Sequence, residues 1–244
     1  MVDDFPPQTK TSDDDDGFFS ANSPEKEDRL GFIRKVYGIL SVQLCLTTGA
    51  IASVKAIDGW NEAMQMPTMG ATAMGLLFLS IVIEIAIVCC QSVARKTPTN
   101  YIMLFAFTAC QAFVFAYICA FYPTDKVLSA AGTTALVTVA LTFYACTTKT
   151  DITICGGLLY IMVIAMFFLI FASFFMTFVS WWHPLVSSLL VVFYGIFLIY
   201  DTQLIAGGHK YELSMDDYIV GALLLYVDIM MLFLELLKLF GGRD

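Results

Sequence analysis

The stretches PLVSSLLVVFYGIFLIYD at 184–201 and DYIVGALLLYVDIMMLFLELL at 217–237 decide the fold class. A bilayer's hydrocarbon core of roughly 30 Å takes about 20 predominantly apolar residues to cross, and each stretch supplies them. Each also carries an aspartate where lipid would otherwise surround it: Asp201 closes the first and Asp228 interrupts the second. An ionisable group at membrane depth is costly, so it faces a bundle interior or a wet cavity and marks a functional site by default.

The chain outside these two stretches is as apolar. Of its 244 residues, 59% are hydrophobic, and the mean hydropathy is +0.77. A soluble domain of this length has no means of hiding that much apolar surface. Candidate spans lie at approximately 33–57, 71–93, 101–121, 128–146, 154–178, 185–206 and 218–240. They predict an all-α integral membrane protein, a bundle of seven transmembrane helices. The breaks DGWNEAMQMPT, ARKTPTN, YPTDK, TTKTD, SWWHP and GGHKYELSMDD hold the expected turn residues. Their shortness predicts that consecutive helices are antiparallel neighbours. Trp181 and Trp182 read as an interfacial anchor, and SAAGTTA (129–135) and CGG (155–157) suit close helix packing.

The formal charge of -8 is unevenly placed. Residues 1–29 hold nine carboxylates against three basic residues, so the membrane body is close to neutral. Residues 1–30 are expected to be a disordered acidic cytoplasmic tail, and 31–244 the transmembrane domain. The run Asp13–Asp16 has carboxylates suited to a hard cation, yet no Gly or Glu stands at loop-ligand spacing, so it reads as a solvated charge block. The seven cysteines fall in or beside apolar runs without CxxC spacing, which suggests neither a disulfide framework nor a zinc site. With the N-terminus cytoplasmic, nine Lys and Arg residues fall on the cytoplasmic side and four on the other, the bias expected of a membrane protein. Lys238 and Arg243 blur the ending, which leaves open a last segment that re-enters instead of crossing.

Four carboxylates lie within the predicted spans: Glu84, Asp201, Asp228 and Glu235. Asp201 is expected roughly 7–8 Å from the cytoplasmic end of its helix, and Asp228 roughly 15 Å into the next from the same side. Adjacent antiparallel helices with ordinary tilt bring such positions within hydrogen-bonding range. Two carboxylates that close cannot both ionise cheaply in a low-dielectric site, so they share a proton and titrate as a unit, a natural pH switch. Arg95 shares a predicted helix face with Glu84 and is expected near the depth of Asp201, either as its countercharge or snorkelling to lipid headgroups beside Lys96. Glu235, two turns after Asp228, either lines the same path or reaches the opposite interface.

Rival seven-span and two-aspartate classes fail on residues. An aspartyl intramembrane protease needs G-x-G-D and a downstream P-A-L; here the second aspartate follows Leu225-Tyr226-Val227, and no P-A-L is present. A retinal protein needs a mid-span lysine in the seventh helix, and Lys238 stands too near the end. G-protein-coupled receptor hallmarks are missing. The reading is therefore not an enzyme.

FIRKVYGILSVQL (32–44), CCQ (89–91) and YDTQLIAGGHKYELSMDDYIVGALLLYVDI (200–229) together resemble the Bax-inhibitor motif family of transmembrane proteins, most closely its Lifeguard branch. The resemblance implies a seven-helix bundle whose last helix is central, wrapped by the other six. It implies residence in endoplasmic reticulum or Golgi membranes, and a pH-sensitive leak of Ca²⁺ that protects against stress-induced cell death. By the same resemblance Asp201 and Asp228 map onto the pH sensor and gate, and Arg95 onto a latch.

The function expected is thus a pH-sensitive calcium leak channel or cation/proton exchanger, with calcium held transiently at Asp201 and Asp228. Calcium, protons and membrane lipid are the expected partners, with no cofactor and no nucleic acid. The alternative is a non-conducting scaffold that restrains apoptosis by binding other membrane proteins, the aspartates being a structural lock.

Overall fold

The computed structural model describes residues 24–242 apart from 177 and 180. The Asp13–Asp16 run and Arg243 lie outside the described residues. The elements, in order, are α1 (Pro24–Ala56), α2 (Trp60–Met64), α3 (Pro67–Cys89), α4 (Gln91–Arg95), α5 (Thr99–Ala120), α6 (Thr124–Thr147), a 3₁₀ turn (Ile152–Cys155), α7 (Gly156–Phe175), α8 (Trp182–Ala206) and α9 (Tyr218–Gly241). Seven of them, all but α2, α4 and the 3₁₀ turn, are long and apolar enough to cross a membrane. The chain is an all-α, multi-pass membrane protein.

Two boundaries differ from those the hydropathy suggests. Helix α1 begins at Pro24 and so takes in the polar residues 24–30 assigned above to the tail. The second span ends at Cys89, because Cys90 is extended (φ −108°, ψ 92°) and a separate short helix carries Arg95. Arg95 therefore does not share a continuous helix face with Glu84. Helix α9 runs 24 residues without interruption, about 36 Å at the helical rise, which is a crossing length.

The bundle is organised around α9. Of its most apolar window 72% is buried, against 6% for α7. Its apolar residues run almost all round the helix, the pattern of a core element and not of a surface one. Ile219, Leu223, Tyr226, Leu232 and Leu237 pack with Val36 and Leu40 of α1, Ile87 of α3, Phe107 of α5, Ala130 of α6 and Leu198 of α8 in one cluster. Gly221 lets α9 approach its neighbours: a Cβ there would meet Ile205 at 3.3 Å and Val36 at 3.4 Å.

This centrality overturns the expectation about neighbours for half of the consecutive pairs, since α3 with α5, α7 with α8 and α8 with α9 do lie side by side. Helices α6 and α8 pack mainly on α9, and α1 packs on α5 first and then on α9, while α1 with α3, α5 with α6, and α6 with α7 scarcely touch. Short loops limit where the next helix starts, but a shared central partner dictates which face it covers. The last helix is wrapped by α1, α3, α5, α6 and α8, whereas α7 packs on α8 and stands at the periphery. Buried polar pairs tie α1 into the core: Gln43 Nε2 donates to Thr108 Oγ1 at 2.9 Å, and the Thr47 and Tyr226 hydroxyls meet at 2.8 Å. The outer faces of α6 and α7 carry Leu136, Phe143, Tyr160 and Phe174, each more than two-thirds exposed, a surface stable only against lipid.

Candidate functional site: a buried carboxyl pair beneath a stitched loop face

Helices α8 and α9 run antiparallel and are joined by residues 207–217. Their pairing places Asp201, near the end of α8, against Asp228, part-way along α9. Both residues are only 7% exposed, and their carboxyls lie within hydrogen-bonding reach of each other. Among the described residues no N–H or hydroxyl donor reaches the buried Asp228 Oδ2. Two carboxylates facing each other without donors repel strongly, so one shared proton is the arrangement that turns repulsion into a hydrogen bond.

The other carboxylates extend this pair along α9. Glu235 is 4% exposed; its Oε1 accepts from Lys238 Nζ at 2.7 Å, and its Oε2 is buried with no donor among the described residues. Tyr194 of α8 lies within electrostatic reach of Glu235, Asp228 and Glu84 together. The sequence reading passed over Tyr194, although it stands two helical turns before Asp201 on the same face of α8, a spacing that marks it. Glu84 is half-buried on α3. Among the described residues no three His, Cys, Asp or Glu side chains converge as a metal cage. Calcium takes six to eight oxygens, so two carboxyls suit passage of a cation better than its retention.

Arg95 does not reach the pair. Its Nε and Nη2 donate to Asp217 Oδ1 and Oδ2, both at 2.8 Å, a planar fork matched to one carboxylate. Asp217 precedes the first residue of α9, so the fork anchors the start of the central helix, where negative charge also suits the helix dipole. The break at Cys90 turns Arg95 toward this position. Asp217, by hydrogen bond and then charge, strengthens the hold of Arg95 on its proton.

Arg29, counted in the sequence only as one basic residue among many, closes the other end of the same loop. Its Nη2 donates to Leu204 O at 2.7 Å, its Nη1 to Leu213 O at 2.8 Å and its Nε to Ala206 O at 3.4 Å. The last carbonyls of a helix lack intrahelical partners, and here a cation supplies them. Gly207 follows with φ +74°, and a Cβ on it would run into the Arg29 guanidinium. Both facts demand glycine there.

A second set of bonds ties residues 147–155 to the same face. Gln203, from the YDTQ motif, accepts from Ile152 N at 2.9 Å and donates to Thr150 O at 2.9 Å. Asp151 accepts from Thr153 N at 2.9 Å, from the Thr153 hydroxyl and from Lys210 N at 3.0 Å. His209 Nδ1 lies 3.7 Å from Asp151 Oδ1. The Thr153 hydroxyl first, then the Lys210 N–H, hold the Asp151 carboxyl below the usual aspartate range. The short loops beside Asp201 thus form one cross-bonded layer.

A family model described as "Inhibitor of apoptosis-promoting Bax1" matches residues 29–244, a region that opens on Arg29 and contains both aspartates. Protein lifeguard 3 of Homo sapiens is 33% identical over 232 residues, which cover 94% of this chain and 74% of that protein. Protein lifeguard 3 of Mus musculus matches with the same identity and coverage. Protein LIFEGUARD 2 of Arabidopsis thaliana is 30% identical over 229 residues, 92% of each chain.

Proposed function

The chain belongs to the Bax-inhibitor family and is similar to its Lifeguard members, and from that premise we propose that it is a pH-sensitive calcium leak channel or cation/proton exchanger. Its place is an intracellular membrane, endoplasmic reticulum or Golgi, with the N-terminus cytoplasmic, and its activity restrains stress-induced cell death. The observation that carries this reading is the Asp201–Asp228 pair, 7% exposed on both sides, set between α8 and the central helix α9.

With one proton between them, the two carboxyls bond α8 to α9 and the path is shut. Removing that proton sets two negative charges against each other at low dielectric; adding a second leaves neither oxygen set an anionic acceptor. Either change weakens the bond and frees α9 to move. The leak therefore has a minimum at the pH where one proton is shared. Once open, the pair offers oxygen ligands to a hard cation, and Glu235 and Glu84 near Tyr194 continue the series.

The test is Ca²⁺ flux into liposomes holding the purified protein, across a pH series, for wild type and Asp228→Asn. The variant is expected to lose the minimum, because an amide donates a permanent hydrogen bond and binds no proton. Unchanged flux with an unchanged pH profile would sink the gating role. Wild type that conducts nothing, yet protects cells with both aspartates replaced, favours the scaffold instead.

A further inference from the structure

Helices α1 and α6 both pack on α9 but scarcely on each other. The gap between them is a groove of about 410 Å³. Its floor is α9 itself, at Ile229, Met230 and Phe233; one wall is α1, and the other is the stretch of α6 from Thr124 to Val139. The lining is apolar along nearly its whole length, and Lys55 and Thr124 stand at one end, where α1 finishes and α6 starts.

Three features together define what fits. From Thr124 to Val139 the groove follows about 22 Å of helix, and one leaflet with its headgroup layer is about 20 Å deep. The groove therefore runs from the headgroup level to the end of a lipid tail, with the width of a gap between two helices. Lys55 at its mouth donates to Asn61 Oδ1 at 2.9 Å and to Tyr122 O at 2.6 Å, which leaves one of three ammonium protons free. Among the described residues Lys55 forms no ion pair. An uncompensated cation with a spare donor, held rigidly by two neutral acceptors above an apolar slot, is complementary to an anionic headgroup above an acyl chain.

We propose that the groove between α1 and α6 binds one acyl chain of an anionic phospholipid, whose headgroup is held at the membrane surface by Lys55. The site stands apart from the carboxyl pair and does not rest on the proposed ion path. It does share a helix with it: Ile229, in the groove floor, directly follows Asp228. A chain seated there packs against α9 and resists its movement toward α1 or α6.

The experiment is native mass spectrometry of the purified full chain, exchanged into equal phosphatidylserine and phosphatidylcholine. Wild type is expected to retain one phosphatidylserine, with a preference of about fivefold, the upper end of what one partly exposed ion pair supplies. Lys55→Gln is expected to keep one lipid without the preference. Ala131→Phe, which fills the slot from α6, is expected to lose the bound lipid at unchanged melting temperature. Wild type free of lipid, a preference surviving in Lys55→Gln, retention undiminished in folded Ala131→Phe, a free fatty acid in place of phospholipid, or a second copy of the chain covering the groove would each overturn the proposal. Should Ala131→Phe fail to fold, phosphatidylserine with a diazirine in its tail, in vesicles with wild type, is the deciding measurement. Adducts concentrated on residues 124–139 and 44–55 support the site, and adducts spread evenly over the outer faces of α3 and α7 refute it.

Discussion

Arg95 grips Asp217 through two 2.8 Å hydrogen bonds, which leaves Asp201 and Asp228 with each other as partners. One cation is thus spent on the entrance to the central helix, and the buried pair keeps its charge problem. This division separates two kinds of consequence, those for the stability of the loop face and those for the titration of the pair.

The fork is partly exposed, with side-chain accessibilities of 38% and 20%, so solvent screening limits its value. Arg95→Ala is expected to lower stability only slightly, read as a small drop in melting temperature. Its effect on Ca²⁺ flux is expected to be a change of amplitude with the position of the pH minimum unmoved. A shifted minimum would show that Arg95 acts on the carboxyl pair directly.

Asp201→Asn distinguishes a gate from a lock. The amide keeps the shape and the hydrogen bond to Asp228, so thermal stability is expected to change little while the pH dependence of flux disappears. A sharp fall in melting temperature with flux per molecule unaltered would assign the pair to holding helices together. Asp201→Leu, which leaves Asp228 buried without a partner, is expected to be the more damaging change, by about 3 kcal/mol if Asp228 stays charged.

Gly207 and Arg29 are expected to couple. Gly207→Ala meets both an unfavourable φ of +74° and the Arg29 guanidinium, and is expected to cost about 1–2 kcal/mol. Arg29→Ala removes the guanidinium bonds to the carbonyls of Leu213 and of Leu204, which keeps only the Leu213 N–H, at about 1–3 kcal/mol. Because the second change removes the obstacle met by the first, the double variant is expected to be less unstable than the sum. Strict additivity in thermal or denaturant unfolding would contradict the contact.

Asp151 makes a prediction with a definite sign. Its carboxyl is held below the usual aspartate value, so its contribution to the loop face is complete above that ordinary value and lost only as pH falls through the lower, folded one. The layer joining 150–153 to 209–211 therefore stays intact through neutral and mildly acidic pH. Hydrogen exchange of the Lys210 amide is expected to remain slow across that range in wild type and to speed up in Asp151→Ala. The flux minimum, if it lies in that range, is expected to be the same in Asp151→Asn as in wild type.

Much of this was legible before any coordinates. Hydropathy located all seven spans within a few residues, because each must supply a bilayer's width of apolar side chains. The punctuation by Pro, Gly and charge placed the breaks. The missed break at Cys90 had no comparable signal: CCQS is neither polar enough nor rich enough in breakers to interrupt a hydropathy trace. That single kink moved Arg95 from the face of Glu84 to Asp217. Tyr194 was passed over because one tyrosine in an apolar run is ordinary; only the assembled bundle brings carboxylates of α3 and α9 within electrostatic range of it.

The sequence by itself determined that the chain crosses a membrane seven times, that Asp201 and Asp228 lie at depth, and which family it resembles. These are properties of composition and spacing, which lipid and helix geometry translate directly. Only the tertiary structure decided that α9 is shared by five other spanning helices, that Arg95 answers to Asp217, and that Arg29 closes the loop between the aspartate-bearing helices. It also decided that α1 and α6 part to leave a groove ending at Lys55. Such pairings depend on which helix faces meet. In a bundle apolar on nearly every face, packing around the central helix selects those faces, and periodicity along one segment does not.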